Sequence, residues 1–274
     1  MTAAEKESAL LAWLRAQPSV LVGFSGGVDS AYLASAALEA LGAERVLAVI
    51  GVSPSYPAEQ WAAARAVAAR IALPVLEVPT HEIADPRYAA NPVDRCYFCK
   101  TELWAVLGRV ARERGLATIV DGTNADDLRD VRPGARAARE HGVASPLAAL
   151  GLSKGEIRER SRARGLPGWS QPSSPCLASR LPYGTAVTPA RLAQVERAER
   201  ALRALGVEGD LRVRHHGDVA RVEIARAELG RWLAPEARRA LRDAVRGAGY
   251  ARVALDLRGF RSGSLNVLAG VTAA

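Results

Sequence analysis

The residues best suited to covalent chemistry are three cysteines, Cys96, Cys99 and Cys176, in a chain of 274 residues. A thiolate is the competent nucleophile and also a metal ligand. The Cys96-x-x-Cys99 spacing lets both sulfurs reach one metal, and it opens a predicted helix whose positive end favours thiolates. Three thiols cannot close a four-cysteine cluster site. They can hold a [4Fe–4S] cluster by three corners, leaving one iron open to an external sulfide or substrate. Spacing alone equally admits a Cys₃His zinc site using His81 or His141, or a redox pair unrelated to Cys176.

A second group of residues suits phosphate. Ser25-Gly26-Gly27-Val28-Asp29-Ser30 lies between an apolar run and a predicted helix. Glycines there allow a tight turn with N–H groups pointing into a concavity, and the helix N-terminus adds partial positive charge. Ser25 and Ser30 add hydroxyl donors. No Gly-Lys-Ser/Thr follows, so the loop is not Walker A, and the spacing is not GxGxxG. The plain alternative is an ordinary strand-to-helix turn, but ligands of open α/β sheets bind at this end of the first strand.

The elements that must position these groups follow from periodicity. Residues 4–16 predict a short amphipathic helix, Val20–Phe24 a first strand, and Asp29–Leu41 a helix. A strand over 45–52, a helix opened by Pro57, and strands over 74–78 and 117–121 continue the alternation, with a helix over 97–114 between the last two. Such alternation indicates a parallel sheet with helices on both faces. Ser153-Lys-Gly-Glu156 is a capping box for a helix ending at Gly165. The segment 165–185, with four prolines from 167 to 182, predicts a long irregular stretch of the functional rather than the filling kind. A small α+β unit closes the chain: a helix over 189–205, a hairpin turning at His216-Gly217-Asp218, a helix over 235–247 and a strand over 251–257. The expected division is 1–187 and 188–274.

Composition is that of a soluble globular protein, 49% hydrophobic and 24% charged. No apolar run reaches the ~18 residues of a membrane helix, and the N-terminus is no secretory signal, so a cytoplasmic protein is expected. Net charge is +8 and the pI about 9.9. All but three of the 37 basic residues are arginines, spread along helices beside acids. This favours an anionic substrate over a nucleic-acid patch.

SGGVDS at 25–30 is similar to the loop of the PP-loop ATP-pyrophosphatases, and Asp121-Gly122-Thr123-Asn124-Ala125-Asp126-Asp127 resembles their second nucleotide loop. With CYFCK at 96–100, PSSPCLASRLPYGT at 172–185 and LDLRGFRSGSLN at 255–266, nearly the whole chain resembles the LarE family, sulfur transferases that build the nickel-pincer cofactor of lactate racemase. The resemblance implies an adenine nucleotide alpha hydrolase-like PP-loop domain and an enzyme that adenylylates the carboxylates of pyridinium-3,5-biscarboxylic acid mononucleotide and converts them to thiocarboxylates. ATP and pyrophosphate would be held by Ser25, Gly26, Gly27, Asp29, Ser30, Gly122 and Thr123, with Mg²⁺ at Asp126 or Asp127. Some family members sacrifice the cysteine at the position of Cys176. Those with CxxC resemble cluster enzymes, so the three thiols here imply a [4Fe–4S] centre on Cys96, Cys99 and Cys176. Arg180, four residues beyond Cys176, is expected to hold a phosphate or to lower the thiol pKa.

Arg212 and Arg214 leave the same face of a predicted strand, and two guanidiniums side by side suit a phosphate monoester. The resemblance places the substrate phosphate there, with Glu223 and Asp256 on neighbouring strands and Glu196 or Glu199 on the preceding helix. The alternative for these acids is a solvated face with cross-strand charge pairs. His215 and His216 are adjacent and face opposite ways, which disfavours a shared metal. A homo-oligomer is expected. The rival enzyme is a tRNA-thiolating one, which combines the same loop with CxxC and a distant cysteine; this chain lacks the extra cysteine pairs of a zinc ribbon and a separate basic RNA-binding region.

Overall fold

The computed structural model describes residues 1–129, 133–172 and 174–261, with the side chain of Arg129 excluded. Ser173 and residues 262–266 of the family-like motifs therefore lie outside the described residues. In chain order the elements are α1 (Ala3–Arg15), β1 (Val20–Gly23), α2 (Val28–Leu41), β2 (Val46–Val52), α3 (Ala58–Arg70), β3 (Val75–Pro79), α4 (Pro86–Ala89), α5 (Arg95–Arg114), β4 (Thr118–Val120), α6 (Pro133–Glu140), α7 (Pro146–Ala149) and α8 (Lys154–Ala163). Then come α9 (Pro189–Ala204), β5 (Leu211–His216), β6 (Val219–Ile224), α10 (Leu229–Leu233), α11 (Pro235–Gly247) and β7 (Arg252–Leu255).

The contacts divide the described residues into two compact units, one drawn from 1–82 and 94–174, the other from 83–93 and 175–261. This differs from a boundary at 187. Asn91, fully buried, donates through Nδ2 to the carbonyls of Pro182 and Thr185, and its own carbonyl accepts from the Gly184 N–H. Those bonds attach the Pro86–Ala89 turn and the segment beginning at Pro175 to the second unit.

In the first unit, four parallel strands are ordered β3-β2-β1-β4. Both faces are covered, which is why the strands read as unbroken apolar runs. Val20, Val22, Ala48 and Ile50 pack into one core with residues of α1, α2, α3 and α8, such as Leu10, Leu33, Ala64 and Ile157. Leu21 and Val49 point the opposite way, into a core with Trp104, Leu107 and Val110 of α5. Gly23 is needed here because a Cβ would lie 2.9 Å from the Trp104 ring.

The second unit has an antiparallel β5–β6 hairpin with β7 added parallel to β6. Leu211, Val213, Val222 and Ile224 pack against Ala198, Leu202, Leu241 and Val245 of α9 and α11. The proline-rich segment is irregular apart from one 3₁₀ turn, Leu177–Arg180. Among the described residues, no helix is long and apolar enough to cross a membrane.

Helix α1 is tied to α8 by a buried carboxylate. Glu7 accepts from Arg160 Nε at 2.6 Å and Arg164 Nε at 2.5 Å. Burial pushes its pKa up, but the hydrogen bonds from Arg164 and Arg160 outweigh that, and the net direction is down. A lowered folded-state pKa means stability that is present above the unfolded carboxyl pKa and lost as pH falls through the folded one. Glu7→Gln is therefore expected to cost about 2–3 kcal/mol at neutral pH, since Arg160 loses its carboxylate partner and Arg164 keeps only Glu39. In urea unfolding the deficit should shrink on acidification below the ordinary carboxyl range; a deficit unchanged at low pH would contradict this role.

Candidate active site

The phosphate loop forms where β1 gives way to α2. Gly26 has φ +67, a conformation that L side chains avoid, and a Cβ there would meet Ala64 Cβ at 2.4 Å. Gly27 N-caps α2, so the first N–H groups of that 14-residue helix are left for a ligand. Ser30 Oγ donates to the Gly27 carbonyl at 3.1 Å and receives the Ser25 N–H at 3.3 Å, which closes the loop on itself. From outside, Tyr56 Oη donates to the Ser25 carbonyl at 2.9 Å, and Gln60 reaches the same oxygen at 3.4 Å.

The second loop packs directly behind the first. A Cβ on Gly122 would lie 2.9 Å from Ser30 N and 3.1 Å from the Asp29 carbonyl carbon, so the two backbones touch only because residue 122 has no side chain. Asp121 holds the turn by accepting from Thr123 N–H, Thr123 Oγ1 and Ser145 Oγ. Asn124 Oδ1 accepts the N–H groups of Asp126 and Asp127, while Asp127 Oδ2 accepts the Asn124 N–H at 3.1 Å. Asp126 is turned to the N-terminus of α8, where its carboxylate accepts the Lys154 N–H at 2.8 Å.

Lys154 completes this edge. Its Nζ donates to Asp29 Oδ2 at 2.5 Å, in the first turn of α2. The other carboxylate oxygen, Asp29 Oδ1, is buried and has no hydrogen-bond partner in the structure. A buried anionic oxygen left in that state fits a hard cation, so Asp29 is better placed for Mg²⁺ than Asp126. Sequence reading treats Lys154 only as part of a capping box. The box is real, with Ser153 accepting the Glu156 N–H, and it is what aims residue 154 from the start of α8.

The thiols fall in different units. Cys96 (exposed) and Cys99 (half-buried) sit in the first turns of α5, and half-buried Cys176 belongs to the second unit. None is disulfide-bonded. Cys96 and Cys99, one turn apart, suit two ligands of a metal centre, but no group of three His, Cys, Asp or Glu side chains is gathered for a metal ion among the described residues. That holds equally for a zinc site through His81 or His141.

In the second unit one face of the small sheet is charged and yet buried. Arg212 pairs across the hairpin with Glu223, and Arg214 with Arg221. Exposure is 6% for Arg212, 5% for Arg214, 1% for Glu223 and 8% for Asp256, so the face is not a solvated one. Glu223 receives Arg214 at 2.8 Å and Arg221 at 2.9 Å, and so serves as counter-ion to both arginines. Burial, then the nearby charges of Arg180 and Arg214, push the Arg212 pKa down to about 10 against the opposing pull of Glu199. An anion beside Arg212 would relieve that cost. From the preceding helix Glu199 reaches this region, accepting the Val213 N–H at 2.9 Å and both Nε and a terminal nitrogen of Arg180. Arg180 is only 2% exposed, and its guanidinium is paired with Glu199. His215 is taken up by the core, its Nδ1 3.1 Å from Tyr250 Oη.

Residues 13–94, which carry the phosphate loop and the first three strands, match the sequence model of the NAD synthase family. The chain is 43% identical, over 90% of its length and 91% of the relative's, to an uncharacterised protein of Synechocystis. It is 28% identical over 75% of its length, and 77% of the relative's, to an uncharacterised protein of Methanocaldococcus jannaschii. To the pyridinium-3,5-bisthiocarboxylic acid mononucleotide synthase of Lactiplantibacillus plantarum it is 35% identical over 97% of its own length and 95% of the relative's. The chain belongs to the LarE family. It has that family's PP-loop sheet, with helices on both faces and a small mixed sheet beyond it. It is an ATP-dependent enzyme. Among the LarE-like features, the contact of Gly122 with the phosphate loop is the most sharply testable. Gly122→Ala should leave the fold intact yet displace Asp29 and Ser30, weakening ATP turnover about tenfold or more by loss of aligned donors. A wild-type rate of ATP turnover in a steady-state pyrophosphate assay would contradict the contact.

Proposed function

We propose that this chain is an ATP-dependent sulfur transferase that activates the carboxylates of pyridinium-3,5-biscarboxylic acid mononucleotide as acyl-adenylates and converts them to thiocarboxylates. The observation that carries the reading is the near full-length similarity to the synthase of Lactiplantibacillus plantarum in a chain whose 25–30 segment is shaped for phosphate.

The residues divide the work in two steps. A carboxylate is a poor electrophile, and its oxygen must first attack the α-phosphorus of ATP, breaking the bond to the β-phosphate's bridging oxygen. Charge then develops on the departing pyrophosphate. The first N–H groups of α2 and the Ser25 hydroxyl would take it up, while Ser30, whose hydroxyl is given to the Gly27 carbonyl, holds the loop in shape. Lys154, held 2.5 Å from Asp29, adds a cation at the same edge. Asp29 Oδ1 and the second-loop carboxylate of Asp127 would hold Mg²⁺, whose charge would offset that of the phosphate oxygens. Gly122 and Thr123 shape the wall behind the loop.

In the second step a sulfur nucleophile attacks the acyl carbon and AMP leaves with the former carboxylate oxygen. We propose two forms of this nucleophile. One is the Cys176 thiolate, whose thioester is released as thiocarboxylate when a base removes the Cys176 α-proton and the Cβ–Sγ bond breaks to leave dehydroalanine. The other is a sulfide delivered at a centre that Cys176 helps to hold, with Cys176 unchanged. Arg212 and Arg214 would hold the substrate's phosphate, and the buried charge of Arg212 supports that assignment. The accessible Cys96–Cys99 pair supports a version in which an iron–sulfur cluster, with Cys176 as its third thiol, supplies sulfide when bound. A cytoplasmic, self-associating enzyme acting on a small molecule rather than RNA agrees with charges interspersed along the helices.

Cys176→Ala is expected to abolish thiocarboxylate formation while pyrophosphate release in a first turnover persists; thiocarboxylate made at the wild-type rate would remove Cys176 from the reaction. The mass of Cys176 after turnover separates the two sulfur sources. An unchanged residue, in anaerobically prepared brown protein with about four irons per chain, supports the relay. Conversion to dehydroalanine with loss of H₂S means that Cys176 gives up its own sulfur and contradicts the cluster version. Lys154→Met should slow pyrophosphate release about a hundredfold, the magnitude expected for one charge aimed at a leaving group, and an unaltered rate would exclude it from the site.

A further inference from the structure

Cys176 opens the 3₁₀ turn Leu177–Arg180, and that turn is fastened by a single buried guanidinium. Arg180 sends one terminal nitrogen to the Pro175 carbonyl at 2.6 Å, the Cys176 carbonyl at 3.1 Å and Ser179 Oγ at 3.1 Å. Its Nε and its other terminal nitrogen both go to Glu199, at 2.9 Å each. Every nitrogen of the guanidinium is thus engaged by protein, and two of the acceptors are the carbonyls on either side of the Cys176 α-carbon.

Glu199 is as fully committed. The oxygen that receives Arg180 Nε also receives the Val213 N–H at 2.9 Å, on the strand between Arg212 and Arg214. Arg214 closes the circle by donating to the Ser179 carbonyl at 2.9 Å, while its Nε rests on Glu223. The thiol's backbone and the two arginines assigned to the substrate phosphate are therefore set by one carboxylate on α9. We infer that the Arg180–Glu199 pair is a positioning device that fixes the Cys176 sulfur relative to the phosphate-binding arginines, and that Arg180 itself touches neither nucleotide nor substrate.

Stability does not account for such a pair. Burying two charges costs about as much as their attraction returns, and apolar residues of similar volume commonly serve a core as well. What a bidentate guanidinium–carboxylate pair supplies is direction, because its two parallel bonds fix angle as well as distance. A sulfur nucleophile needs that, since misplacement by an ångström in a reacting pair slows attack steeply.

The inference rests on Cys176 being the sulfur-bearing residue, and its test keeps the two apart. Arg180→Lys retains a charge but cannot bridge Glu199 and two carbonyls at once. Glu199→Gln retains shape and an acceptor for the Val213 N–H. Both variants are compared with the wild type and with Cys176→Ala, by thermal melting, first-turnover pyrophosphate release, and kcat and KM for thiocarboxylate formation from the pyridinium dicarboxylate nucleotide. The expected result is folded protein, pyrophosphate release within about twofold of wild type, KM little changed, and kcat for sulfur transfer down roughly a hundredfold. Alkylation of Cys176 by iodoacetamide, followed by peptide mass analysis, should change rate in the same two variants. Folded variants with wild-type kcat would overturn the positioning role, as would a loss confined to pyrophosphate release. Thiocarboxylate formation surviving in Cys176→Ala would instead overturn the underlying assignment.

Discussion

The nucleotide edge of the first unit depends on the ion pair between Lys154 and Asp29. Asp29 stands in the first turn of α2, beside a glycine that must adopt φ +67, and Lys154 stands at the start of α8, beside a capping box. Asp126 of the second loop accepts the backbone N–H of the same lysine. One residue therefore ties the phosphate loop, the second loop and α8 together. Without an anion present, Lys154 balances Asp29. Under the proposed function a triphosphate would bring several negative charges to the same edge, to be offset by the lysine and by a cation at Asp29 Oδ1.

The second unit solves a different electrostatic problem. It keeps Arg180, Arg212 and Arg214 nearly out of water, where a charge is stable only with partners. Glu199 and Glu223 provide them, one from a helix and one from the neighbouring strand. The arrangement is more cationic than anionic at Arg212, whose pKa is pushed down to about 10 by burial and by its fellow arginines. Under the proposed function a phosphate bound beside Arg212 would offset that cost, which a neutral ligand would leave in place.

The sheet and its helices were legible because doubly covered parallel strands read as apolar runs punctuated by Gly and Pro. The phosphate loop, the capping box at Ser153 and the hairpin at Gly217 each follow from local chemistry. What was not legible depends on distant partners. Asn91 joins 83–93 to the second unit through carbonyls some ninety residues away, and nothing near it in sequence signals that. Lys154 reaches Asp29 across 125 positions, so its place at the site is visible only in the fold. Alternation correctly put Arg212, Arg214 and Glu223 on one face, but it cannot tell water from a covering turn and helix. Arg180 shows the same limit, since it is legible in the sequence as a cation beside a thiol while its pairing with Glu199, 19 positions on, is visible only in the fold.

Activation of a carboxylate at the α-phosphorus is the claim from which both steps follow, and oxygen isotope transfer tests it most directly. A pyridinium dicarboxylate nucleotide labelled with ¹⁸O in its carboxylates should pass one label to the phosphate of AMP for each thiocarboxylate formed, leaving pyrophosphate unlabelled. Label in pyrophosphate or inorganic phosphate, or thiocarboxylate accompanied by unlabelled AMP, would contradict the account.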